Sequence, residues 1–400
     1  MTKAGPSFAS PGAGVPAINR AELQKDAETA WQFFAAMTPG TKKGVVPAAV
    51  WRQDGGYGSY DILTMWDAGS IILAYVSARS IGLIDAKEFD ERISNVMAFL
   101  KAAEFRWGKG VLPNYRTSVT NYKAVEVGYD STDTGRLFVA LHILDKVTNG
   151  AYAADKLIAH WNLPDIVQNK ALYDIKGSKR IKSECYNYVF YISRGHKLWN
   201  IDVATGYEQP LDPADDASRK AFLAHVAKIG SIASEPSVNE AIELGHSTHS
   251  KVLANVLYAA QKERFDKTGV LTCVSEAPID KNPWFTYQGY DLTAEGWHRW
   301  PVHSSVTAKH WQTKSFADAY RMVSTKGAFM WHAENGDDYS RKLIEHVRAK
   351  ARTEGRGFGP GVFEANGKRP NIMDVNTNGM VLEAIASIFS GRKPLVELKI

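Results

Sequence analysis

The sequence predicts an all-α fold, a barrel of paired helices with long loops gathered at one end. Three observations carry that expectation. Apolar residues recur at helical spacing from about residue 20 to residue 390. The connections between the periodic stretches alternate between short and long. No βαβ alternation and no strand series interrupts them. Helical hairpins that close on one another give an α/α barrel. An open helical solenoid is the competing arrangement, and no fixed-period repeat supports it.

The elements follow in order. Residues 20–37 form an amphipathic helix through Leu23, Ala27, Ala30, Trp31 and Phe34. A Gly- and aromatic-rich loop leads to Asp67, placed where an N-cap would sit before the run AGSIILAYVSARSIGL, and Gly82 ends it. Residues 87–103 put Phe89, Ile93, Val96 and Leu100 on one face. A second long loop, 104–129, precedes helices at 131–147 and 151–162. Residues 181–200 are apolar nearly all round, the mark of a buried helix. The stretch 201–245, broken by Pro210, Pro213 and Pro236, holds only a weak helix at 216–229. A helix at 247–265 leads into the longest irregular region, 266–312, where Leu271–Ser275 has the pattern of a short strand. Helices at 315–327, 337–351 and 377–390 complete the series. Irregular loops longer than about 15 residues are uncommon unless they are functional.

Residues 1–18, rich in Gly, Pro, Ala and Ser, read as a flexible lead-in without the basic-then-apolar order of a signal peptide. Residues 19–400 read as one domain. The composition, 44% hydrophobic and 23% charged, is that of a globular protein, and no apolar run is long enough to span a membrane. The +5 net charge is spread along the chain, so no basic stripe points to nucleic acid. The two cysteines, Cys185 and Cys273, allow at most one disulfide and read as small core residues. No cofactor is implied, because P-loop, dinucleotide fingerprint and nucleophile elbow are all missing. His246, His249, His298 and His303 lack zinc-site spacing, so no metal is expected.

The chain has 11 Trp, 17 Tyr and 16 Phe, and many of the Trp and Tyr fall in loops, where rings tend to bind rather than to pack. A flat ring with a polar handle suits the apolar face of a sugar. Carboxylates stand near helix starts or in polar loops in four motifs: Trp66–Ser70, Asp130–Arg136, Ser183–Tyr188 and Ser275–Asp280. Asp67, Asp130 and Asp133 are also good helix caps. Glu184 opens an apolar helix, where burial would raise its pKa and make it a usable general acid. Glu276 lies in the long aromatic loop, where no helix needs it. Two carboxylates across a ring-lined cleft suit glycoside hydrolysis. A Gly-dense segment, Gly357–Glu364, lets backbone approach a ligand, and Asn376 or Asn378 could cap the last helix.

The ordered set WDAGS, DSTDTGR, SECYNYVFYISRGHKLW, VSEAPIDKNPWFTYQG, GFGPGVFEANG and NTNGMVLEAI resembles the bacterial family called domain of unknown function 3131, over about residues 20–390. That family is grouped with glucoamylase-like proteins, including the β-1,2-glucanases, on the (α/α)6 barrel. The resemblance implies an exported, periplasmic or secreted protein that acts on, or helps to make, a bacterial glucan or exopolysaccharide. The carboxylates that match the family motifs are Asp67, Asp133, Glu184, Glu276, Asp280 and Glu364.

The leading expectation is an inverting, endo-acting glycoside hydrolase on a β-1,2-glucan-like polymer. Glu184 is its acid and Glu276 its base. Trp66, Asp67, Asp133, Arg136, Asp280, Trp284, Tyr287 and Glu364 are its substrate-binding residues. The alternatives are a non-catalytic accessory protein of polysaccharide biosynthesis, and a polysaccharide lyase using Tyr186, Tyr188, Arg136 and Arg194. The expected partner is a glycan, not nucleic acid or a membrane interior, and the oligomeric state is open.

Overall fold

The computed structural model describes residues 19–36, 40–183, 187–293, 296–299, 302–304 and 313–400. Among them are thirteen α-helices: α1 Arg20–Ala35, α2 Met65–Ser80, α3 Ala86–Ala102, α4 Ser131–Val147, α5 Ala154–His160, α6 Val189–Lys197, α7 Asp216–Val226, α8 Ser234–Leu244, α9 Thr248–Thr268, α10 Lys314–Tyr320, α11 Thr325–Asn335, α12 Asp338–Lys350 and α13 Val375–Phe389. The flexible lead-in expected at 1–18 lies outside the described residues.

Packing sorts these helices into two layers. Helices α2, α4, α6, α8 and α11 follow one another in contact, and α13 joins α11 back to α2, so that six helices close a ring. Helix α1 packs outside α13, α3 outside α2, α5 outside α4, α9 outside α8 and α12 outside α11. The sequence reflects the two layers. Outer helix α12 buries one stripe, Tyr339, Ser340, Leu343, Ile344 and Val347, while every residue of α13 from Val375 to Ser387 is buried. Glycines let ring helices approach closely. A Cβ on Gly195 of α6 would be driven into the Gly135 carbonyl oxygen of α4, and one on Gly135 into Ile192. At the end of the ring remote from the first turns of α4 and α8, the segment Leu395–Glu397 packs against α4, α8 and α13, with Leu395 fully buried.

The long loops, expected to be irregular, are not. They fold into short antiparallel hairpins: Ala49–Gln53 with Gly56–Tyr60, Glu104–Trp107 with Gly110–Pro113, and Ala171–Lys176 with Lys179–Lys182. The first turns through Asp54-Gly55, a two-residue loop whose Gly has φ +80°. Such ladders satisfy the backbone groups that a bare loop of this length would leave unpaired.

Four element boundaries also differ from expectation. Lys179–Lys182 is a strand, so the helix expected from residue 181 starts only at Val189. Helix α8 went unpredicted because Pro236 read as a breaker; it occupies the first turn, where its missing N–H is not needed. Much of the buried surface of α8 is polar, so its helical period was hidden. The helix expected at 315–327 divides: α10 ends at Tyr320 and α11 begins at Thr325, running on to Asn335. The strand expected at Leu271–Ser275 does not form, although the Cys273 carbonyl accepts from the Ser324 N–H at 3.0 Å.

Candidate active site

All six ring helices present their first turns to one place. Thr64 caps α2: its N–H donates to Asp67 Oδ2 at 3.0 Å and the Asp67 N–H donates to Thr64 Oγ1 at 3.3 Å, a reciprocal capping box. Asp130 caps α4, accepting from the Thr132 and Asp133 N–H groups at 2.9 and 3.0 Å. Tyr188 stands immediately before α6 and close to Glu276, which the segment between α9 and α10 delivers. Glu235 is the second residue of α8, and Lys326, the second residue of α11, forms an ion pair with it. Asp374 caps α13 through the Thr377 N–H at 2.7 Å. Asn376 Nδ2 donates to Glu235 Oε1 at 2.8 Å, and Asn376 Oδ1 accepts from Ser70 Oγ at 2.8 Å. Six helix N-termini aimed at one floor favour negative charge there, which is why a ring end can collect so many carboxylates.

The floor is deep yet wet. Asp67, Asp130, Asp133 and Glu276 are all set far inside the fold and are all half-buried, keeping solvent contact. Glu235 and Lys326, with 1% and 3% exposure, lie beneath them. Burial pushes the Glu276 carboxyl up to about 7, the Glu235 charge adds to the rise, and Lys326 and the Tyr188 hydroxyl oppose it. Burial raises Asp67 to about 6 against its capping bonds to Thr64. Asp130 also rises to about 6, through burial and the neighbouring Asp174. Asp133 is held well above the usual carboxylate range, by burial and then by Asp130, Asp67 and Glu276, all close enough to act on it. Tyr287, on the strand Phe285–Gln288, is close to Glu276, Asp133 and Asp130 and extends the site into a cavity of about 430 Å³ lined also by Asn187, Ser231 and Gln288. Carboxyls that hold protons at neutral pH, beside others that do not, are the raw material of general acid–base chemistry. Among the described residues no three His, Cys, Asp or Glu side chains are grouped to hold a metal ion.

The family model for proteins of unknown function DUF3131 matches residues 25–389. The chain belongs to the DUF3131 family. No curated protein matches it. Among solved structures it is similar to a candidate glucoamylase from Bacteroides caccae (13% identity, 95% of this chain and 97% of that one, TM-score 0.63). It is similar also to an endo-β-1,2-glucanase from Chitinophaga pinensis, solved with sophorotriose and glucose (13% identity, 95% and 97% covered, TM-score 0.59). A third is a cellobiose 2-epimerase from Spirochaeta thermophila (11% identity, 94% and 100% covered, TM-score 0.53). At these identities the likeness is one of fold.

In this DUF3131 chain the structure brings Asp67, Asp133, Glu276 and Tyr287 together on the floor. Asp67 is the third residue of α2 rather than its N-cap, a place taken by Thr64. Glu184 and Cys185 lie outside the described residues. Trp66 is only 7% exposed, with its ring edge-on to Tyr188 at 5.3 Å and the Arg136 guanidinium 5.1 Å from it, so it backs the floor rather than facing a ligand. Arg136 does not line the cleft. It is 0% exposed and paired with Glu243 and Glu383 inside the ring. Glu364 is also elsewhere, held by Arg264 at 2.6 Å. Asp280 is exposed at the rim and accepts from the Asn371 N–H at 2.6 Å. Helix α13 is capped by Asp374, not by Asn376 or Asn378. Sequence reasoning missed Glu235, on a ring helix it did not find, and Lys326, which it placed at the end of a helix over 315–327 rather than in the first turn of α11. The signal for Glu235 was Ser234-Glu235-Pro236, a helix start with proline inside the first turn.

Trp284 is 64% exposed, so its ring does not pin the loop. Trp284→Ala is expected to leave the melting temperature unchanged and to lower glycan affinity about tenfold, within the roughly 1–3 kcal/mol of an aromatic stacking platform. A variant that melts several degrees lower and binds as before would remove Trp284 from the binding surface.

Proposed function

We propose that the protein is an inverting, endo-acting glycoside hydrolase whose ring of six inner helices is an (α/α)6 barrel, acting on a β-1,2-glucan or a similar bacterial polymer. One observation carries the reading: Asp67, Asp130, Asp133 and Glu276 gather at the one end of the ring where six helices begin, and burial beside Glu235 pushes the Glu276 carboxyl up to about 7, above Asp67 at about 6. Glu276 donates its proton to the leaving glycosidic oxygen as the C–O bond breaks. Asp67, ionised at neutral pH, takes a proton from the water whose oxygen bonds to the anomeric carbon from the other face. Asp133 shares the Asp67 side and orients sugar hydroxyls together with Tyr287. This exchanges the role expected for Glu276 from base to acid, because burial beside Glu235 raises its pKa.

Floor electrostatics favour a neutral sugar at the bond that is cut, since a uronate there would meet Asp67, Asp130 and Asp133. The lyase reading also loses its neutralising cations. Arg136 is paired in the core, and Arg194 is paired with Glu240 at 2.6 Å and bonded to the Gly245 carbonyl. New reducing ends released from β-1,2-glucan, in a screen that includes other β-glucans, test the proposal. Glycan binding without new ends from any polymer would favour a non-catalytic accessory role.

The pH profile supplies a second check. Asp67 must be ionised, so kcat/KM is expected to fall as pH drops through about 6. Glu276 must be protonated, so it is expected to fall as pH rises through about 7. A narrow bell between those limbs is the expected result, and a plateau extending to pH 9 would exclude Glu276 as the acid.

A further inference from the structure

A second cavity, of about 630 Å³, opens at the rim of the same end of the ring. Its walls are the tip of the first hairpin, with Arg52, Gly55 and Tyr57, the turn after α12, with Arg352 and Glu354, and Arg369. The strand Ala49–Gln53 ties this cavity to the carboxylate floor. Ala49 pairs with Asp374 on the floor, and Arg52 lies three residues further on, roughly 10 Å along an extended strand. Asn371 fixes the junction, donating from Nδ2 to the Arg52 carbonyl at 2.8 Å and from its backbone N–H to Asp280 at 2.6 Å. Floor and rim cavity are therefore within the span of one short oligosaccharide.

The two places have opposite charge. Three guanidinium groups and a single carboxylate, Glu354, line the rim cavity. Arg352 is partly engaged, donating from Nη2 to buried Asp26 at 3.0 Å. Arg52 forms no ion pair among the described residues, and Arg369 Nη1 donates to the Pro370 carbonyl at 3.3 Å. A fourth guanidinium, that of Arg356, lies over the Tyr57 ring at 4.1 Å, which stiffens that wall. Guanidinium forks on a concave surface match the two oxygens of a carboxylate or a phosphate ester. Among the described residues neither Arg52 nor Arg369 closes a salt bridge, and both line the cavity.

We propose that this rim cavity binds an anionic substituent, a carboxylate or a phosphate ester, carried by the glycan whose neutral backbone lies in the cleft. The inference rests on the glycan reading of the cleft and names its substrate class: glucans with acidic decoration, engaged at a neutral linkage a few units away. The repulsive floor and the attractive rim together set the register in which a decorated chain is held.

The test compares the wild-type protein with an Arg52→Gln/Arg369→Gln variant. Neither side chain is part of the floor, and Arg52 is exposed, so the variant is expected to fold normally. Calorimetry at low salt measures the affinity for a neutral β-1,2-gluco-oligosaccharide, the same oligosaccharide carrying phosphate esters, and one carrying a glucuronate unit. The expected result is about tenfold tighter binding of at least one acidic form by the wild type, lost in the variant, with neutral affinity unchanged. The arm that shows the advantage identifies the anion. Equal binding of all three forms by the wild type, or an advantage that survives in the variant, would overturn the proposal. Inorganic phosphate and free glucuronate are titrated separately. Saturable binding of either that disappears in the variant supports the arginine pocket even where no glucan is cut, so failure of the hydrolase reading and failure of the pocket are told apart.

Discussion

Glu276→Gln is expected to lower turnover of a cleavable glucan by roughly 10²- to 10⁴-fold, the range that a positioned general acid contributes. Affinity is expected to change little, because an amide keeps the size and polarity of the side chain. What it loses is the proton that the leaving oxygen needs. The residual activity is expected to lack the alkaline limb of the pH profile, since the group that titrates near pH 7 is gone. Asp67→Asn is the companion variant. It removes the base but also half of a capping box, so it is expected to lose activity together with about 1 kcal/mol of stability. Reducing-end assays with binding measured in parallel separate the cases. A Glu276→Gln protein that cuts at more than a tenth of the wild-type rate would remove Glu276 from the chemistry.

Much of this architecture could be read from the residues, and the failures have physical causes. Outer helices were easy, since α3 and α12 bury one stripe and leave the rest polar. Ring helices with apolar inner faces, such as α2 and α13, were also found. Helix α8 was invisible because the inside of the ring is polar at that point: Glu235, Asn239, Glu240 and Glu243 are buried by ion pairs and hydrogen bonds to distant residues, and no local pattern announces such partners. The same cause explains the misplaced Arg136. In sequence it follows a carboxylate motif and looks like a sugar ligand. In the fold it lies one turn deeper than Asp133, where the carboxylates that meet it are more than a hundred residues away. Asp67, Asp133 and Glu276 were legible because each stands in a loop or first turn, where a carboxylate marks function and capping alike.

Arg136→Leu is expected to cost about 3–5 kcal/mol of stability, the range for breaking a buried ion pair by removing one partner. The Arg136 side chain is completely enclosed. Its Nη1 meets Glu243 and donates to the Tyr191 hydroxyl at 2.9 Å, its Nη2 donates to Glu383 at 3.1 Å, and its Nε donates to Ser70 Oγ at 3.2 Å. Burial holds Glu383 well above the usual carboxylate range despite the neighbouring arginine, with Glu243 adding to the rise. Two carboxyl groups thus share one guanidinium, and burial together with Glu243 disfavours a negative charge on Glu383. Leucine would leave the Glu243 charge without a cation in a place that water does not reach. Adding Glu243→Gln should then recover part of the loss, because it removes the stranded charge and keeps an acceptor for Tyr191, and the two changes should be non-additive. The damage should also travel upward. Ser70 accepts from Arg136 and donates to Asn376, and Asn376 donates to Glu235 beneath Glu276, so the floor rests on this core group through three hydrogen bonds. Urea unfolding of the single and double variants measures both effects. A loss below 1 kcal/mol for Arg136→Leu, or simple additivity with Glu243→Gln, would show that the ring interior does not depend on this charge cluster.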